Sequence, residues 1–224
     1  MKHKLTLSLF VLFACTLFGQ TSEKISYLAL GDSYTIGESV KESQRWPNLL
    51  ADSLTKAGIE VEKPRIIAHT GWRTDELIYA IKSRSYFKQH DLVSILIGVN
   101  NQYQGKDLEV FKKEFKVLLD LAIRHSKKGA EGVFVLSIPD YGVTPFAASK
   151  NPSKISREIK LYNTISREIC EQKNILFIDI TPISREAKTN SSLLADDLLH
   201  PSGLMYQQWV SLVLSELRLE HISR

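Results

Sequence analysis

At 224 residues with 43% hydrophobic content, the chain can bury a sizeable core and is read as one domain, a common size for single domains. Its formal charge of +4 comes from 29 basic and 25 acidic residues, with no basic stripe interleaved with aromatics, so nucleic acid is not an expected partner. The cysteines are Cys15 and Cys170, which excludes a disulfide framework, and no Cys/His/carboxylate cluster has metal-ligand spacing, so neither a metal nor a cofactor is expected.

The first residues differ from the rest. Met1-Lys2-His3-Lys4 is a short basic start, and Leu5 to Phe18 is almost wholly apolar. As a helix that stretch would span about 21 Å, short of the roughly 30 Å hydrocarbon core. Residues 1–20 therefore read as a secretory signal peptide, which leaves 21–224 as an exported domain, periplasmic or extracellular. Leu12-Phe13-Ala14-Cys15 also resembles a bacterial lipobox. If it serves as one, Cys15 carries a lipid and anchors the chain to a membrane; otherwise Cys15 leaves with the signal. Loss of Lys2 and Lys4 brings the mature domain close to neutrality.

Ile25 to Leu30 is an apolar run ended by Gly31, the pattern of a strand buried on both faces. Trp46 to Leu54 has helical spacing with Gly58 as a stop, and Arg65 to His69 is a second strand. Thr74 is placed to cap the next helix, whose Leu77, Ile78 and Ile81 share a face. Leu92 to Ile97 is the clearest strand, followed by a helix with Leu108, Phe111, Phe115, Leu118 and Ala122 in a stripe. Val133 to Ile138 is a fourth strand, which opens into a loop running to about Lys154, long enough for a lid or a substrate wall. A helix through Ile155, Ile159, Tyr162, Ile165 and Ile169 leads to the fifth strand, Ile175 to Ile180. Pro201 fits the start of the last helix. Strands and helices alternate, so the fold class is α/β, a five-stranded parallel sheet with helices on both faces.

In such a sheet the functional groups gather beyond the carboxyl ends of the strands. There stand Gly31-Asp32-Ser33, Thr70-Gly71 and Gly98-Val99-Asn100, and after the fifth strand come Asp197 and His200. A serine hydroxyl needs a base near neutrality, which points to histidine, and a carboxylate on the far ring nitrogen fixes the tautomer. Asp197, three residues before His200, can be delivered with it by one turn. The N–H groups of Ser33 and Gly71 and the Asn100 amide can share an oxyanion if the first three strands are neighbours. Glycine suits position 71 because a Cβ would crowd an approaching acyl oxygen. Trp72, Tyr103, Tyr141 and Phe146 follow strand ends and are candidates for a substrate pocket, with core packing as the alternative. Asp32 is read as holding its turn, Asp196 as solvated, and His69, His90, His125 and His221 as structural.

Taken together these blocks resemble the SGNH, or GDSL-type, hydrolases: Gly31-Asp32-Ser33, Gly71, Asn100 and Asp197-Leu198-Leu199-His200 occur in the family's order across roughly residues 25 to 220. The resemblance implies a flavodoxin-like three-layer α/β/α fold with strand order 2-1-3-4-5 and a serine esterase working through an acyl-enzyme. Its substrates would be acyl lipids, lysophospholipids or thioesters, or else O-acetylated carbohydrates. One block departs, since Asn101 stands where the family usually has aspartate; altered local hydrogen bonding with retained activity is expected. The alternative from another class is a non-catalytic protein that binds an anion or a carbohydrate at the strand-to-helix turns, which leaves the pairing of Asp197 with His200 unexplained.

Overall fold

The computed structural model describes residues 24–83 and 88–217. The leader expected over 1–20, Cys15 within it, and His221 lie outside the described residues. The strands are β1 (Tyr27–Gly31), β2 (Arg65–Ala68), β3 (Leu92–Leu96), β4 (Val133–Leu136) and β5 (Leu176–Ile178). They form one parallel sheet in the order β2-β1-β3-β4-β5. Every residue of β1, β3 and β4 is buried, as unalternating apolar runs require when helices cover both faces.

The helices are α1 (Ser33–Ile36), α2 (Trp46–Lys56), α3 (Thr74–Lys82), α4 (Val99–Tyr103), α5 (Leu108–His125), α6 (Pro152–Gln172), α7 (Thr181–Arg185) and α8 (Gly203–Glu216). α2 packs on α8, and α5 packs between α3 and α6. Right-handed crossovers place α2 on one face and α3, α5 and α6 on the other. α5 shows how local sequence sets this up. Asp107 caps it by accepting from the N–H groups of Glu109 and Val110 at 2.8 and 3.1 Å, and its apolar stripe buries Phe111 and Phe115. Truncating such a phenylalanine to alanine typically costs about 3–5 kcal/mol. Cys170 is a buried core residue, and burial pushes its thiol up to about 12. No helix of the described residues is long and apolar enough to cross a membrane.

Several local expectations shift. Ile25 makes only an isolated bridge to Val61, so β1 starts at Tyr27. The segment after β4 is less open than its length suggested. It folds into two 3-10 turns, Tyr141–Val143 and Pro145–Ala147, and α6 begins at Pro152 with Asn151 as its cap. Thr74 is the first residue of α3, with Arg73 at the cap position. Pro201 precedes the cap of α8, which is Ser202, whose hydroxyl accepts from the Met205 N–H.

Candidate active site

The register aligns three strand ends: Gly31 lies beside Ala68 of β2 on one side and Leu96 of β3 on the other. Strand order reverses between β1 and β3, the place where open α/β sheets leave a crevice. Ser33, Gly71 and Asn100 follow those ends, and together with His200 they line one cleft of about 180 Å³.

Ser33 opens the four-residue helix α1, and Asp32 caps it by accepting from the Tyr34 N–H at 3.1 Å. Glycine is required at 31, because a Cβ there would lie 2.1 Å from the Thr35 hydroxyl and 2.4 Å from the Leu96 carbonyl. Asp32 is wholly buried. Burial drives its carboxyl up to about 8, with backbone N–H groups of Tyr34, Asp32 itself and Gly98 acting against the rise. Asp32 thus holds the turn, as expected.

The loop before α8 brings a carboxylate to His200. Asp197 Oδ2 lies 2.6 Å from His200 Nδ1. Its Oδ1 accepts from the N–H groups of Leu199 and His200, each at 2.9 Å. Leu198 adopts left-handed backbone at φ +58°, uncommon for a bulky residue, and this turns the chain so that the next two N–H groups face the carboxylate. The Ala195 N–H closes the loop on the His200 carbonyl at 2.8 Å. Burial raises the Asp197 carboxyl, but hydrogen bonds from Ser39, His200 and Leu199 outweigh it and hold the group at about 2. An ionised Asp197 fixes the hydrogen on Nδ1 and leaves Nε2 as the acceptor. The Tyr34 ring meets the imidazole edge-on, with centroids 5.5 Å apart, and Tyr206 donates to the Tyr34 carbonyl at 3.0 Å. Asp196 is exposed.

Gly71 sits at φ +84°, and an added Cβ would meet nothing within 4 Å. Glycine is favoured there by the left-handed backbone, and the space a Cβ would take is open rather than filled by protein. The Asn100 amide donates one hydrogen to the Trp72 carbonyl at 2.9 Å, which leaves its second for a ligand. Trp72 itself does not line the cleft; its ring stacks on His69 with centroids 5.5 Å apart and packs on the core. Tyr103, Tyr141 and Phe146 do line it, with mutual centroid distances of 6.2 to 6.4 Å. Tyr141 is fixed from behind by donating to Gln102 at 2.8 Å.

The departure at 101 has a local account. Asn101 is buried, accepts from the Thr74 N–H at 3.1 Å and donates to the Thr74 hydroxyl at 2.7 Å. That hydroxyl then donates to Glu114 at 2.5 Å. An aspartate at 101 would compete with Glu114 for the single Thr74 proton. Sequence reasoning also missed Ser39, whose hydroxyl donates to Asp197 Oδ2 at 2.6 Å from 158 positions away; no short-range pattern signals it. Among the described residues no group of His, Cys, Asp and Glu is arranged to hold a metal.

Residues 29–208 match the model of the GDSL-like Lipase/Acylhydrolase family. An arylesterase of Vibrio mimicus is 24% identical over 222 residues, covering 96% of this chain and 98% of its own. An acetylxylan esterase of Geobacillus stearothermophilus is 27% identical over 121 residues, 50% of this chain, and the match spans about half, 52%, of that relative. The family 3 carbohydrate esterase of Clostridium thermocellum superposes with a TM-score of 0.71 at 19% identity, over 90% of this chain and 100% of that one; at that identity the likeness is one of fold.

Proposed function

This chain belongs to the GDSL-like lipase/acylhydrolase family and is an ester hydrolase of it, and we propose that it works through Ser33, His200 and Asp197. The observation that carries the assignment is His200 Nδ1 held at 2.6 Å by Asp197 in the cleft that Ser33, Gly71 and Asn100 also line. Ser33 Oγ attacks the ester carbonyl carbon while His200 Nε2 takes its proton. The carbonyl oxygen, now negative, meets the N–H groups of Ser33 and Gly71 and the free amide hydrogen of Asn100. Collapse breaks the bond to the alcohol, which receives the proton from His200. Water then attacks the acyl-Ser33 bond, giving its proton to His200, and the acid leaves as the proton returns to Ser33. A fluorophosphonate probe tests this: wild type is labelled and Ser33→Ala is not, whereas a folded, unlabelled wild type refutes the assignment.

The acyl group is short and the alcohol a carbohydrate. A cleft of about 180 Å³ walled by Tyr103, Tyr141 and Phe146 is smaller than the roughly 300–1,000 Å³ common for drug-sized ligands, which favours acetyl over a lipid chain. The names of the acetylxylan esterase and the carbohydrate esterase point the same way. Turnover of p-nitrophenyl esters should fall from acetate to decanoate, and release of acetate from acetylated oligosaccharide should exceed release of fatty acid from lysophospholipid; the reverse order refutes the short-acyl reading. The basic start and the apolar Leu5–Phe18 support export, which a mature N-terminus near residue 21 in the secreted fraction would establish.

A further inference from the structure

The turn that follows α1 makes a contact the mechanism above does not use. Ser39 lies in left-handed backbone at φ +63°, where glycine is the residue without penalty. It is exposed and adds nothing to the core. Its hydroxyl donates to Asp197 Oδ2 at 2.6 Å, the same oxygen that lies 2.6 Å from His200 Nδ1. The turn is tethered on its other side, where Glu38 accepts from the hydroxyl of Thr70, the residue before Gly71. A serine therefore stands where glycine would fit without strain, and its hydroxyl reaches the carboxylate.

Resting on the Ser33–His200–Asp197 reading, we propose that Ser39 is a positioning residue for Asp197. Leu199 N–H and His200 N–H fix Oδ1, the Ser39 hydroxyl fixes Oδ2, and the carboxylate plane is then set before the imidazole meets it. The same hydrogen bond takes up part of the negative charge, so the imidazolium formed during attack is not stabilised so strongly that it withholds its proton from the alcohol. The charged and titratable groups facing the pair are Tyr34, edge-on to His200, Tyr206 on α8, Asp32 under the α1 turn, and Glu38 beside Ser39. Burial holds both tyrosines well above the ordinary tyrosine range and raises the Asp32 carboxyl; none of these three groups is hydrogen-bonded to Ser39, whose hydroxyl donates to Asp197.

Ser39→Gly and Ser39→Ala test the proposal with p-nitrophenyl acetate. Each should lower kcat about three- to tenfold, the discounted effect of one exposed hydrogen bond to a charged group, with KM within about twofold. Ser39→Gly should keep or raise Tm, since glycine relaxes the backbone. The acidic limb of kcat/KM should move to higher pH as Asp197 regains charge toward the ring. Wild-type kcat with an unmoved limb in Ser39→Gly overturns the proposal, as does a loss of kcat that tracks a lowered Tm. In either case Ser33 labelling of the wild type still stands. A wild type that neither labels nor turns over refutes the underlying reading, and the role of Ser39 with it.

Discussion

His90 and His200 are both buried, 4% and 9% exposed, at opposite ends of the sheet, and their surroundings give them opposite chemistry. His90 stands just before β3 at the amino end. Its backbone is paired in both directions, N–H to the His125 carbonyl at 2.7 Å and carbonyl from the Lys127 N–H at 2.9 Å. Its ring Nδ1 meets no partner among the described residues. Burial first, and then the nearby Lys88, Arg65 and His125, hold it neutral down to about 4. His200, at the carboxyl end, has Asp197 on Nδ1. Burial beside like charges silences a histidine, and a fixed carboxylate is what equips one to take a proton and hold it.

Removing that carboxylate's charge should make His200 resemble His90. In Asp197→Asn the side-chain carbonyl can still accept from Leu199 and His200 N–H, so the loop keeps its shape, but the amide can donate to Nδ1 and favour the wrong tautomer. A fall in kcat of about 10⁴ with a nearly unchanged melting curve is expected, measured on p-nitrophenyl acetate. A fall of less than tenfold would mean that Asp197 only shapes the loop. The next effect belongs to the oxyanion side. Asn100→Ala should lower kcat about 10²–10³-fold with KM nearly constant, since the amide is invoked for the developing charge. A rise in KM alone would move Asn100 from the reacting oxygen to substrate binding.

The fold class was legible because its strands are short apolar runs ended by glycines and polar turns, whereas the strand order came from the resemblance to the SGNH hydrolases and is the order the sheet shows. Ser33, Gly71, Asn100, Asp197 and His200, the residues of the proposed site, could be singled out because each sits in punctuation just past a strand or before a helix, where local sequence carries the signal. Trp72 and Tyr103 mark the limit of that reading. Both are aromatics shortly after a strand, yet one turns onto His69 and the other into the cleft, a choice set by side-chain packing. Ser39 could not be read at all. Its meaning comes from a hydroxyl meeting a carboxylate from the far end of the chain, and only the closed sheet brings the two together.

The smallest effect on activity is expected from the silent histidine, and its signature is in stability. His90→Leu should change turnover at pH 7 by less than about twofold, because the ring lies at the end of the sheet away from the cleft. The folded His90 resists protonation to about 4, against an ordinary 6.5, while the unfolded ring takes its proton near 6.5. Above that pH both states are neutral and the ring imposes no slope. As pH falls from 6.5 to 4 the unfolded chain binds the extra proton, and stability drops by up to about 3 kcal/mol before the folded ring protonates too. Asp197 works in a lower window, from 3.8 down to about 2, so the two do not overlap. Asp32, raised to about 8, acts in the opposite sense over the same range but equally in both proteins. Urea unfolding at pH 7, 6, 5 and 4 should therefore show the stability of His90→Leu gaining on that of wild type as pH falls. Equal slopes would mean that His90 finds a partner for its proton after all, and that the contrast with His200 lies in position rather than in charge.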